Sequence, residues 1–376
     1  MKSTLSHRLL YSCSFILCLL PFWMHSQVIS TSSEDLFTVG SASIYLQSEI
    51  NQSDYTLHIN LPASYGQDST KTYPVFYALD GYRVFGTTTH VYEGLWDDGF
   101  SPEIIIVGIT HGHAKTDPTA HRTRDLTPTR IERIPTSGEA SLFLKVLEDE
   151  IIPMIDQQYR SDPTNRTLMG TSFAALFTHY VLFTQPTLFH RYIIHNPTLW
   201  WDNKYPYALE ETYHKNHTEL QAKVLLINSE HNDMTSALQM LHQIQKHHYK
   251  GLELGFRKVE NMGHLGGEAE ALNQGMRFVY KRPSMRLPED QLKAYCGTYK
   301  NGNYIRNIVL QQGELTLMRE GAKEGLKIQA VSTSEFAVLG RYFDFHFNRN
   351  GKGEVIGFSS QRDPDPSNVI TALKVN

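Results

Sequence analysis

Residues 166–177 read RTLMGTSFAALF: a short apolar strand, a tight Gly-Thr-Ser turn and an apolar helix. Ser172, between Gly170 and Ala174, is there either a nucleophile lifted out of the end of a strand or an ordinary serine capping a helix. The tripeptide spacing is weak evidence alone, so its surroundings have to decide.

Working outward, YPVFYAL (73–79) and EIIIVGI (103–109) are continuous apolar runs, too short for helices and rich in β-branched and aromatic residues, as strands buried on both faces should be. The stretch between them, 84–99, can form a helix. SGEASLFLKVLEDEIIPMIDQQY (137–159) carries an apolar stripe and predicts an amphipathic helix kinked or ended near Pro153. Strands are then predicted at HRYIIHN (190–196), AKVLLINS (222–229) and LELGFRKVE (252–260), and helices at 172–183, 235–248 and 266–280. This alternation predicts an α/β fold, a mostly parallel sheet with helices on both faces. Period-two alternation from Phe37 to Leu61 predicts an antiparallel hairpin in front of it. After KRPSMRLPED (281–290) the chain breaks into short alternating segments joined at Gly and Asn turns, which predicts a small all-β domain.

The first 26 residues have a charged start (Lys2, Arg8) and an apolar run, and read as a secretory leader cleaved near Gln27. The expected organisation is a leader at 1–26, an α/β domain at 27–282 and a β domain at 283–376, with a secreted, periplasmic location. The leader holds Cys13 and Cys18, so Cys296 has no intrachain disulfide partner in the mature chain. A net charge of -4 offers no basic stripe for nucleic acid, and no membrane insertion is expected once the leader is gone.

A serine hydroxyl needs an imidazole within hydrogen-bond reach, usually oriented by a carboxylate. The loops EHNDM (230–234) and NMGHLGG (261–267) follow consecutive strands, so Asp233 is read as the acid and His264 as the general base. Glu230 is an alternative acid, and a Ser–His pair without a strong acid is a third arrangement. The oxyanion would be met by the N–H of Phe173 and by those near Gly81 and Tyr82, where Asp80-Gly81 ends a buried strand. His111 and His113 form an HGH pair without further ligands at metal spacing, so neither a metal nor another cofactor is expected. HKNH (214–217) and KHHYK (246–250) read as solvated polar faces. Arg122 and Arg124 in HRTRDLTPT (121–129), read as a loop over the site, either hold an anionic group or form internal ion pairs. Of Trp200 and Trp201, one is read as core and the other as a wall of the cleft.

These pieces, in order YPVFYALDGYRVFG, IIIVGI, RTRDLTPT, FLKVLEDEIIPMIDQQYR, RTLMGTSFAALF, NPTLWWDN and GHLGG, resemble the esterase-D-like branch of the α/β-hydrolases, which includes the trilactone siderophore esterases of the enterochelin and salmochelin type. The resemblance covers about Thr38 to Tyr280. It implies an α/β-hydrolase fold and a serine carboxyl-ester hydrolase, with Ser172 and His264 on the catalytic positions and the LDG loop in the oxyanion hole. Ala174 and Ala175 stand where glycine is more usual. The tail from Leu292 resembles small β domains behind some secreted esterases and penicillin-recognising hydrolases. A small-molecule ester, whether a siderophore ester, an acylated sugar or a simple carboxyl ester, is the expected substrate. An acyltransferase sharing the acyl-enzyme, and a binding protein that keeps the fold without efficient chemistry, are the competing readings. The sequence is silent on oligomeric state.

Overall fold

The computed structural model describes residues 41–112, 118–282, 284–338, 340, 344–361 and 369–375; the expected leader and His113 lie outside them. The hairpin is present as β1 (Ser41–Gln47) and β2 (Asp54–Asn60), antiparallel and in register from Ser41↔Asn60 to Gln47↔Asp54. β3 (Tyr73–Leu79) and β4 (Ile105–His111) are the two apolar runs, joined by α1 (Gly81–Asp97). Along β3, Tyr73, Val75, Tyr77 and Leu79 join one core cluster, while Phe76 and Ala78 join another on the opposite face. A strand buried on both faces reads as continuously apolar for this reason.

The sheet continues through β5 (Ser161–Thr171), β6 (Arg191–His195), β7 (Glu219–Ser229) and β8 (Lys250–Val259), in the order β1-β2-β4-β3-β5-β6-β7-β8. All neighbours from β4 to β8 are parallel. Every loop that leaves the carboxyl end of these strands therefore reaches the same edge of the sheet, where ligands bind in such folds.

The HRTRDLTPT stretch is a helix, α2 (Pro118–Leu126), rather than a loop. Its buried residues, Thr123, Asp125 and Leu126, are mostly polar, so no apolar stripe announces it. The predicted long helix is α3 (Ala140–Val146), a π-helical turn at Leu147–Ile151, and α4 (Ile152–Gln158). Pro153 lacks an N–H and crowds the preceding turn, and the widened turn sits where that conflict falls. α5 (Phe173–Thr184) follows β5 directly. α6 (Trp201–Asn216) went unread in the sequence; positive φ at Asp202, Asn203 and Lys204 and a proline at 206 break its start and mask its period. α7 (Met234–Lys246) and α8 (Glu268–Val279) complete the layers.

In HKNH and KHHYK the residues Lys215, Asn216, His217, Lys246, His248 and Lys250 are exposed, as read, but His214 and His247 turn inward. The His214 and His247 rings stack with centroids 3.6 Å apart, and His247 Nδ1 lies 2.8 Å from the fully buried Glu210 carboxylate. A buried carboxylate needs donors, and it has them in His247, Gln243 and Tyr249.

Beyond α9 (Glu289–Lys293) come eight antiparallel strands: β9 (Gly297–Asn301), β10 (Tyr304–Gln311), β11 (Glu314–Arg319), β12 (Leu326–Ala330), β13 (Glu335–Val338), β14 (Asp344–Arg349), β15 (Val355–Gln361) and β16 (Val369–Lys374). β16 returns to β9, closing a barrel with no free edge. Its core is aromatic, with Tyr299, Phe336, Phe345, Phe347 and Phe358 all buried. The fold is thus an α/β-hydrolase sheet followed by a small all-β domain, as the sequence indicated.

Candidate active site

β5 ends at Thr171, and the chain turns into α5 through Ser172, whose φ of 66° and ψ of -119° lie where a residue with a side chain is strained. The turn is held by Ser172 N–H donating to His195 O (3.1 Å) and Leu176 N–H donating to Ser172 O (2.9 Å). A Cβ on Gly170 would lie 2.3 Å from the Ala174 carbonyl, so glycine is required there for α5 to pass this close. Alanine at 174 and 175 is accommodated in full burial.

Two helices begin at this edge. α5 starts at Phe173, beside Ser172, and α1 starts at Gly81, after Asp80 in the left-handed region (φ 60°). First-turn N–H groups have no partner within their helix and lie at its positive end. β3 and β5 are parallel neighbours, paired from Val75↔Arg166 to Ala78↔Met169, so the two starts are adjacent. Gly81 has no room for a Cβ, which would lie 2.6 Å from the Gly108 carbonyl carbon. Tyr82 is half-exposed.

His264 stands on the loop after β8. Its Nδ1 is 3.1 Å from Asn232 Oδ1, and the Asn232 amide nitrogen donates toward Asn228 Oδ1 (3.4 Å), which leaves the oxygen facing the imidazole. Nδ1 then carries the proton and Nε2 is the free base. The loop is anchored by Asn196, whose side-chain amide donates to His264 O (2.7 Å) and whose oxygen accepts from Ser229 N–H (2.7 Å). The dipeptide His195-Asn196 therefore holds Ser172 through its backbone and His264 through its side chain.

Neither candidate acid meets His264. Asp233 caps α7, accepting from Ser236 N–H at 3.0 Å, and hydrogen bonds from the Ser236 side chain and backbone keep its carboxyl below the usual range. Glu230 is bound by Asn261 N–H and Lys258. A loop with four polar residues in five offers no sequence signal for which one turns inward, and the backbone turn that makes Asp233 an N-cap leaves Asn232 facing the imidazole.

Arg122 is held by the buried Asp80, Nε to Oδ1 at 2.6 Å and Nη2 to Oδ2 at 2.8 Å, and its Nη2 lies 3.5 Å from Thr171 O. Arg124 binds Asp125 and Glu139, the internal arrangement. Asp125 also accepts from Tyr55 and lies 3.0 Å from His111 Nδ1. Trp201 is the core tryptophan, fully buried and donating to Thr129, with its ring edge-on to Phe173. Trp200 is half-exposed, with the Arg133 guanidinium 4.3 Å above its ring. Asp80, Arg83, Asn196, Asn232 and Glu268 were not singled out in the sequence. Each acts through fixed contacts that no spacing rule encodes.

Burial lowers the basicity of His264, and Arg122 and Arg83 lower it further against an opposing pull from Glu268. A lowered pKa keeps Nε2 unprotonated to lower pH, so the acid limb of a kcat/KM profile is expected below the ordinary histidine value near 6.5. Arg83 is ion-paired to Glu268. Arg83→Gln removes a cation and frees an anion, and is expected to move that limb upward.

As for a metal, among the described residues ligand atoms of Glu210, Glu211 and His247 come within 4.8 Å of one another, but Glu210 is already hydrogen-bonded by three donors. They lie on α6 and just beyond α7, with no contact to the Ser172 turn among those described.

The family described as "Putative esterase" matches residues 48–248. The chain is 31% identical over 199 residues to the ferri-bacillibactin esterase BesA of Bacillus subtilis strain 168, covering 48% of this chain and 66% of that protein. It is 27% identical over 168 residues to a siderophore enterobactin esterase of Emericella nidulans, covering 40% and 55%. It thus spans less than two thirds of the length of these curated relatives. The crystal structure of the BES protein from Bacillus cereus superposes with a TM-score of 0.59 at 25% identity, over 66% of this chain and 98% of that one.

Proposed function

We propose, for a chain that belongs to the "Putative esterase" family, that it hydrolyses carboxyl esters through an acyl-enzyme on Ser172. The observation that carries this reading is the strained Ser172 turn at the start of α5, on the same sheet edge as an imidazole whose Nδ1 is held by Asn232. His264 Nε2 takes the Ser172 proton as Oγ attacks the ester carbonyl. The negative charge on oxygen is met by the N–H groups of Phe173 and of Gly81 or Tyr82, aided by the positive ends of two helices. Imidazolium then protonates the leaving alcohol, and water, activated by the same Nε2, releases the acid. Asp80, locked to Arg122, braces the strand end that carries Gly81.

Asn232 orients His264 without adding charge. Asn232→Ala is expected to lower kcat by about 10–100-fold, in the range of a lost orienting contact. Asn232→Asp supplies a counter-charge and is expected to raise the pH of the acid limb. Asp233→Ala removes only a helix cap, costing about 1 kcal/mol with kcat nearly unchanged. Steady-state kinetics over pH with melting curves check all three; a large kcat loss in Asp233→Ala with Asn232→Ala silent would restore Asp233 as the acid.

For the substrate we take the siderophore-ester class for which the two curated relatives are named. Trp200 under Arg133 is a flat cationic platform suited to an aromatic, anionic acyl group. The apolar leader read at 1–26 supports an activity outside the cytoplasm. Turnover of a catecholate trilactone, with KM raised in Trp200→Ala and kcat retained, is the expected result; equal rates on every short-chain ester would contradict the substrate.

A further inference from the structure

We infer that the open end of the C-terminal barrel is a binding site for a small organic carboxylate, separate from the Ser172 site. Strand side chains alternate between the two faces of a sheet, so residues two apart share a face. Ile308, Leu317, Phe358 and Ala372 belong to the barrel core. Arg306, Arg319, Ser360 and Ile370 stand two residues from them on the same strands, and so face inward one layer nearer the end. They line a pocket of about 400 Å³ together with Tyr304, Leu326 and Glu324, a volume in the range of small-molecule sites.

Arg306 and Arg319 are direct register partners on β10 and β11. Like charges directly opposite each other on neighbouring strands are destabilising. Among the described residues no carboxylate lies within 4.0 Å of either guanidinium. Arg306 is held over the Tyr304 ring at 4.0 Å, with its Nη1 donating to Ile305 O. Two inward guanidiniums above apolar walls of Leu317, Leu326 and Ile370 match a ligand with a carboxylate at one end and an apolar body behind it, because the guanidinium fork fits the two carboxylate oxygens. An ester hydrolase releases such an anion at every turnover, which gives this barrel a ligand of the right chemistry at hand.

The test is calorimetric titration of the full chain with benzoate, octanoate and inorganic phosphate, comparing wild type, Arg306→Gln/Arg319→Gln and Arg306→Lys/Arg319→Lys. Saturable binding of an organic carboxylate, weakened at least ten-fold in the glutamine variant and less in the lysine variant, is expected, with ester hydrolysis unchanged in both. Absence of binding, binding undiminished by the glutamine substitutions, or phosphate bound as tightly as the organic acids would overturn the inference. The melting temperature of ligand-free Arg319→Gln is a second reading that needs no ligand. It is expected to rise as the repulsion is relieved; a fall would mean that the chain supplies its own counter-charge, and the pocket would then be an internal ion pair.

Discussion

Replacing Ser172 with alanine is expected to lower kcat on an activated ester by about 10⁴–10⁶-fold while the protein stays folded. The hydroxyl is the only group removed. The turn is held by backbone bonds from Ser172 N–H to His195 O and from Leu176 N–H to Ser172 O, and alanine keeps both. The N–H groups at the starts of α1 and α5 also remain, so a residual rate above that in water should survive. His264→Ala is expected to show a loss of the same order, and the double variant little more than either alone, because the two side chains act as one unit. Losses that multiply in the double variant would mean that Ser172 and His264 work independently.

Gly170→Ala is expected to have the largest effect on the fold. The added methyl would lie 2.3 Å from both the Ala174 carbonyl carbon and its oxygen, and 2.7 Å from Thr178 Oγ1. None of these can retreat easily: Thr178 Oγ1 donates to Ala174 O at 2.8 Å and Ala174 is wholly buried. A backbone clash in the core falls at the severe end of single substitutions, about 3–5 kcal/mol, or a fall of roughly 6–20 °C in melting temperature for a domain of this size. Activity should fall beyond what lost stability explains, because α5 carries the Phe173 N–H. Gly94→Ala is the matched control. A Cβ there meets nothing within 4 Å, and on the exposed side of the last turn of α1 the change should stabilise by about 0.5–1 kcal/mol. Comparable melting temperatures for the two variants would mean that α5 does not pack on β5 as described.

Much of this was legible because it depends on period. Continuous apolar runs gave β3 and β4, since a strand covered on both faces has no polar side to show. The break in alternation at 281–290 gave the change to an all-β unit. What stayed hidden depends on direction. Arg122 and Arg124 are two residues apart on a helix whose buried side is polar, and only the coordinates show one bound to Asp80 and the other to Asp125. The adjacent tryptophans look alike in sequence, yet Trp201 is fully buried and Trp200 half-exposed. Asn232 and Asp233 are neighbours with similar side chains, and one backbone turn decides which caps a helix and which meets an imidazole.

The serine mechanism is tested most directly by treating the folded chain with a fluorophosphonate, followed by intact mass and peptide mapping. One adduct per chain is expected, on Ser172, formed faster as pH rises through the His264 transition and absent in Ser172→Ala. Folded protein that takes no adduct, or takes it on another residue, would contradict the assignment of Ser172 as the nucleophile.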